Sequence, residues 1–185
     1  MPHRDMPSRS RGFTLIEALI ALLIAGVLLG VAVPAWSGAL AAAHATSARA
    51  ALLESLTRSI SHAALTGSEV VLCPGDAGGC RSSIDWSGGW IAYADIDRDR
   101  QRGANETLLY SQPVLAGNVH LRSTVGRTHL VFQPNGGNAG SNVTFTLCDG
   151  RGAARAATLV LANNGRLRGG TPTATAAQAC VVAMD

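Results

Sequence analysis

Residues 13–43 form 31 consecutive positions whose only ionisable side chain is Glu17. A helix of about 20 apolar residues crosses a bilayer, so this stretch is long enough to span one. Ahead of it, residues 1–12 carry Arg4, Arg9 and Arg11 against Asp5. Arginines on the amino side keep that end in the cytoplasm and send the remainder across. All four cysteines lie beyond the apolar stretch, in a compartment where disulfides persist. The charge balance agrees with a folded, membrane-inserted chain. Of 185 residues, 47% are hydrophobic and 15% charged, which excludes a disordered chain. A net charge of +3 excludes a binder that is cationic over its whole surface.

Three readings compete for the apolar stretch. A cleaved secretory signal has an apolar core of about 7–15 residues; Ser37-Gly38-Ala39 could serve as its cleavage site, but the run before it is too long. A plain anchor fits the length and leaves Glu17 unexplained, since an uncompensated carboxylate there costs about 2.5 kcal/mol or more. The third reading accounts for both. The contiguous residues Gly12-Phe13-Thr14-Leu15-Ile16-Glu17 resemble the type IV prepilin (class III) signature, G-F-T-L-I-E. The resemblance implies that a prepilin peptidase cuts between Gly12 and Phe13, that the new terminal amine of Phe13 is N-methylated, and that the apolar segment stays as a helix. A buried carboxylate needs a cation, and the Phe13 amine of a neighbouring subunit would supply one to Glu17 during assembly.

The spacing predicts that the helix continues to residue 66. Leu53, Leu56, Ile60 and Ala64 form an apolar stripe, Glu54 and Arg58 an i,i+4 ion pair, and Gly67 a C-cap. Such a helix is about 80 Å long, and Pro34 should kink or loosen it. The expected organisation is therefore a leader at 1–12, a helix at 13–66 with its transmembrane part at about 13–36, and a head at 67–185.

In the head, short β-branched runs alternate with turn signals such as Pro134-Asn135-Gly136-Gly137 and Asn163-Asn164-Gly165. Strands are expected at 69–73, 90–94, 107–111, 119–123, 128–133, 143–147, 157–162 and 180–184. No helix intervenes in this pattern, which favours antiparallel sheets. Four cysteines allow three connectivities. Cys73–Cys80 closes a short glycine-rich loop and Cys148–Cys180 ties the last strand to an inner one; we favour this pairing, which spacing alone does not prove. No C-x-x-C or H-x-x-x-H spacing suggests a metal site. Asp95, Asp97, Asp99 and Glu106 fall at positions one, three, five and twelve of a calcium loop, but Arg100 occupies the sixth, where that loop has glycine. With Arg98, Arg100 and Arg102 competing for the carboxylates, the expectation is a charged hairpin loop and no metal.

Cys73-Pro74 with Cys80, the run Trp86-Ser87-Gly88-Gly89-Trp90-Ile91-Ala92-Tyr93-Ala94-Asp95, and Gly165-Arg166-Leu167-Arg168 together resemble the FimT/GspH family of minor pilins and pseudopilins. Tyr93 stands at its usual aromatic position. The resemblance implies an α+β pilin fold, with a long N-terminal α-helix packed on a β-rich head of antiparallel sheets. It also implies an inner-membrane precursor, head in the periplasm, that joins a pilus or pseudopilus of a Gram-negative bacterium with other pilins as partners.

Charge is unevenly distributed along the head. Residues 67–118 hold four arginines and seven carboxylates (net −3); residues 119–185 hold six arginines and two carboxylates (net +4). Arg166 and Arg168 alternate, so an extended backbone places both on one side, and a guanidinium fork suits phosphate oxygens. FimT-like members bind DNA through arginines of this late motif, so the resemblance carries double-stranded DNA binding to Arg166 and Arg168, with Arg122, Arg127, Arg151 and Arg155 as weaker candidates. The same arginines could instead solvate an edge strand or meet protein, as in a purely structural GspH-like pseudopilin of a type II secretion system or a pilus-priming pilin. His3, His44, His62, His120 and His129 are scattered. His129 with Ser123 lacks any elbow or oxyanion hole, so neither enzyme activity nor a cofactor is expected.

Overall fold

The first helix, α1 (Leu15–Thr66), is 52 residues long and continues through Pro34. The computed structural model describes residues 12–183 and divides into two units, Met1–Gly38 and Ala39–Asp185. In the first unit the apolar side chains of α1 all lie exposed. A helix this long and apolar with no buried residue in its most apolar window can cross a membrane, and so large an exposed apolar surface marks a membrane or protein contact.

In the second unit α1 buries Ala45, Ala48, Leu52, Ser55, Leu56, Ser59 and Ala63. This differs from the stripe read in the sequence: Leu56 is shared, Leu53 and Ile60 are half-buried, and Ala64 is exposed. Two serines rotate the buried face. Ser55 Oγ donates to Leu52 O (2.8 Å) and Ser59 Oγ to Ser55 O (2.7 Å), so neither hydroxyl is left unpaired on burial. The indole Nε1 of Trp90 donates to Ser55 Oγ (3.0 Å). Gly67 follows the helix at φ +70° and its N–H closes on Ala63 O (3.0 Å), a left-handed C-cap.

Among the described residues nine strands follow, all paired antiparallel. β1 (Glu69–Asp76), β2 (Gly79–Cys80), β3 (Trp90–Asp95), β4 (Leu108–Gln112) and β6 (Leu130–Phe132) form one sheet, in which β1 pairs with β2, β3 and β6, and β3 with β4. β5 (His120–Ser123), β7 (Val143–Cys148), β8 (Ala157–Leu161) and β9 (Leu167–Gly170) form the second, in that order. β3 is buried at every position, as a strand covered on both faces must be. Its Trp90 and Ala92 join α1 in the main core, while Ile91 and Tyr93 pack with Val71, Cys73 and Val131 on the other face. Trp86 meets Phe145 edge-on at 5.1 Å and Trp90 at 6.3 Å.

The expected strand at 180–184 is not formed. Within its described residues the chain is instead the end of a helix, α2 (Ala174–Val182), capped by Thr173, whose Oγ1 accepts from Ala176 N (3.2 Å). The alanine-rich run before Cys180 favours helix, and it outweighs the two valines that suggested a strand. β2 and β9 were not expected from the sequence, because glycine fills half of each. The cysteines form two disulfides, Cys73–Cys80 (Cα–Cα 5.5 Å) and Cys148–Cys180 (6.1 Å), the second tying α2 to β7.

Candidate functional site

β8 and β9 make a hairpin through Asn163-Asn164-Gly165. Gly165 N donates to Ala162 O (3.0 Å), Ala162 N to Arg166 O (2.9 Å), and Arg166 N to Asn164 Oδ1 (3.2 Å). Gly165 sits at φ +80°, and a Cβ there would stand 2.5 Å from Gly136 O, so only glycine fits. β9 is the edge strand, and its register sets Leu167 opposite Leu161 and Arg168 opposite Val160. Leu167 packs against the core, so alternation turns Arg166 and Arg168 to the other face, where both are exposed. Among the described residues neither guanidinium has a hydrogen-bond or ion-pair partner.

A third arginine, not singled out in the sequence, borders the same strand. Arg49 of α1 places its guanidinium against Gly169, where a Cβ would come within 2.6 Å of it. Only the pairing of α1 with β9 reveals this; nothing local to Arg49 marks it.

The protein itself engages most of the other arginines. Arg122 shares the outward face with Arg168, but on β5, at the opposite edge of the sheet, and its Nη1 donates to Ala179 O (2.8 Å) of α2. Arg127 donates to Ala139 O (3.4 Å) and Ser141 Oγ (3.0 Å). Arg151 grips Asp149 with two parallel bonds (2.9 and 2.7 Å), and this guanidinium holds the Asp149 carboxyl below the usual carboxylate range. Arg155, exposed in the 3₁₀ turn Ala153–Arg155 before β8, lies at the end of β8 away from the Arg166 hairpin.

At the other end of the chain, Phe13 is 85% exposed and Thr14 caps α1. Its Oγ1 accepts from Glu17 N (3.3 Å), and its carbonyl from Ala18 N (3.2 Å). Glu17 thus occupies the first helical turn, where unpaired N–H groups favour a carboxylate. Gly12 precedes the helix; residues 1–11 of the expected leader lie outside the described residues.

In the acidic loop after β3 the arginines expected to compete for the carboxylates do not pair with them, and two of them take unusual turns. Arg98 (φ 64°) and Arg100 (φ 61°) both adopt the left-handed turn usually reserved for glycine. Among the described residues no arginine guanidinium forms an ion pair with Asp95, Asp97, Asp99 or Glu106. Glu106 instead accepts from Ile96 N and Gly103 N (both 2.9 Å). Burial pushes the Asp95 carboxyl upward, and burial with the neighbouring carboxylates, Asp95 first, pushes the Tyr93 phenol far up.

Compared with known protein families, residues 48–165 match the one described as Type II transport protein GspH. The chain belongs to the GspH family. Residues 7–33 also match the prokaryotic N-terminal methylation motif, so this GspH-family chain is a minor pilin or pseudopilin. No curated protein sequence matches it. Two crystal structures of the type IV minor pilin FimU of Pseudomonas aeruginosa are similar to it at 16% identity. One, with a TM-score of 0.54, covers 73% of this chain and 90% of FimU; the other, with 0.51, covers 69% and 94%. The minor pseudopilin EpsH of the Vibrio cholerae type 2 secretion system also aligns, at 16% identity and a TM-score of 0.48, over 71% of this chain and 97% of EpsH. At this identity the likeness to FimU establishes the shared fold, a long N-terminal helix followed by antiparallel sheets.

Proposed function

We propose that this GspH-family chain is a FimT-like minor type IV pilin that takes part in pilus assembly and captures extracellular DNA in natural transformation. In this reading a prepilin peptidase cuts between Gly12 and Phe13 and Phe13 is N-methylated. The inner membrane holds the apolar half of α1, with the head in the periplasm, until neighbouring pilins replace lipid, and Glu17 pairs with the Phe13 amine of an adjacent subunit. Double-stranded DNA then lies along β9, its phosphates on Arg166 and Arg168. One observation carries the DNA reading: both guanidiniums project from an edge strand with no protein partner among the described residues. Arg122, Arg127 and Arg151 are engaged by the protein itself, so they contribute less, while Arg155, with no ion pair among the described residues, adds a contact beyond the hairpin.

The family's description favours a second reading, a pseudopilin of a type II secretion system whose β9 arginines meet protein. A gel shift on the full chain in detergent micelles separates the two. Under the DNA reading, Arg166→Gln with Arg168→Gln weakens binding of a short duplex about tenfold or more, a charge-assisted contact being worth about 1.5–3 kcal/mol. Arg127→Gln changes it less than twofold. Equal affinity of the Arg166/Arg168 double variant and the wild type contradicts the assigned site.

A further inference from the structure

The geometry points to a calcium-binding site in the loop that follows β3, with Asp95, Asp97 and Asp99 as its carboxylate ligands. Oxygens of these three side chains lie within 4.8 Å of one another, inside the ~5 Å span of a calcium coordination shell. An acidic cluster alone means little, but Asp95 differs from its two exposed neighbours. It is 1% exposed. Its Oδ2 accepts from Arg100 N (3.2 Å), whereas Oδ1 is buried with no hydrogen-bond partner among the described residues. A buried carboxylate oxygen without a donor is costly, and the cluster around Asp95 offers further carboxylates rather than a cation. A divalent ion would satisfy Oδ1 and remove the repulsion among the three aspartates together.

Two further features favour the ion. The arginines interleaved with the aspartates make no ion pair with them among the described residues, so they do not already fill that role. Arg100, at the sixth position from Asp95, adopts the left-handed turn for which calcium loops use glycine. The aspartates are thus held in place by a backbone that has already accepted that strain. Glu106 braces both ends of the loop through the Ile96 and Gly103 amides and is not itself among the clustered ligands. Hard oxygen donors suit calcium, whose coordination geometry is adaptable; magnesium demands tighter octahedral geometry and gives up water reluctantly. Loop carbonyls and water complete the shell.

The test uses the full chain in detergent micelles, stripped with chelator and melted by near-ultraviolet circular dichroism. Extracellular calcium modules bind at about 10⁻⁴–10⁻³ M. Calcium at about 10 mM should therefore favour the folded state by about 10- to 100-fold and raise Tm by about 3–10 °C. Magnesium at the same concentration should move Tm by less than about a third of that. Asp97→Asn with Asp99→Asn, both exposed, should melt like the wild type in chelator and lose the calcium shift. The inference is overturned if calcium leaves Tm unchanged, if magnesium acts equally, or if the double variant keeps the full shift.

Discussion

Trp90→Ala is expected to destabilise the Ala39–Asp185 unit by about 3–5 kcal/mol, the range for deleting a buried aromatic. Trp90 is fully buried between α1 and the two sheets, its ring tilted against Trp86, and its indole N–H is bonded to Ser55 Oγ. Truncation would open a cavity where the three layers meet and remove the donor that Ser55 accepts. Thermal melts followed by near-ultraviolet circular dichroism report the loss, and Tm should fall by about 6–20 °C. Ser55→Ala isolates the polar part, because it strands a buried indole N–H and should cost about 1–3 kcal/mol. A Trp90→Ala loss below about 1 kcal/mol would contradict this packing.

Cys148→Ser with Cys180→Ser should cost about 2–4 kcal/mol, the usual worth of a disulfide closing a loop of this size. The bond joins residues 32 apart in sequence. It is the main tie on α2, which buries only Ala177 and Cys180, and a nine-residue helix has little stability of its own. Amide exchange should therefore rise over Ala174–Val182 far more than over β7. Protection of α2 equal to the wild type would show that packing alone retains it.

Where side-chain type and periodicity agree, the sequence was readable. The runs that became β1, β3, β4, β5, β6, β7 and β8 are β-branched or aromatic and bounded by turns, and each lies within two residues of its expected start. Errors arose where a second force outweighed the local pattern. Two valines suggested a strand at residues 181–182, but the preceding alanines and the Thr173 cap made a helix. Buried serines rotated the packed face of α1, because intrahelical bonds and the Trp90 indole satisfy hydroxyls that a hydropathy pattern counts as outward. β9 leaves no strand pattern in the sequence, because it is half glycine and its pairing depends on β8.

The candidate site shows the same division. Alternation alone places Arg166 and Arg168 on one side. Their position on an edge, their lack of partners among the described residues and the approach of Arg49 to Gly169 all depend on the order of the second sheet and the packing of α1. Likewise, the spacing of Asp95, Asp97 and Asp99 was visible in the sequence, whereas the unpartnered Oδ1 of Asp95 and the turn at Arg100 exist only in the folded loop.

The proposed DNA-capturing role is tested most directly by the salt dependence of duplex binding. The full chain in detergent micelles is titrated against a labelled duplex by fluorescence anisotropy between about 50 and 200 mM salt, the range over which phosphate binding weakens steeply. Binding through backbone phosphates predicts equal affinity for unrelated sequences and a linear fall of log K with log salt. Arg166→Gln with Arg168→Gln should make that slope shallower by about 1.8, at about 0.9 for each phosphate no longer neutralised. No binding at the lowest salt, or an unchanged slope in the double variant, would contradict DNA capture along this edge.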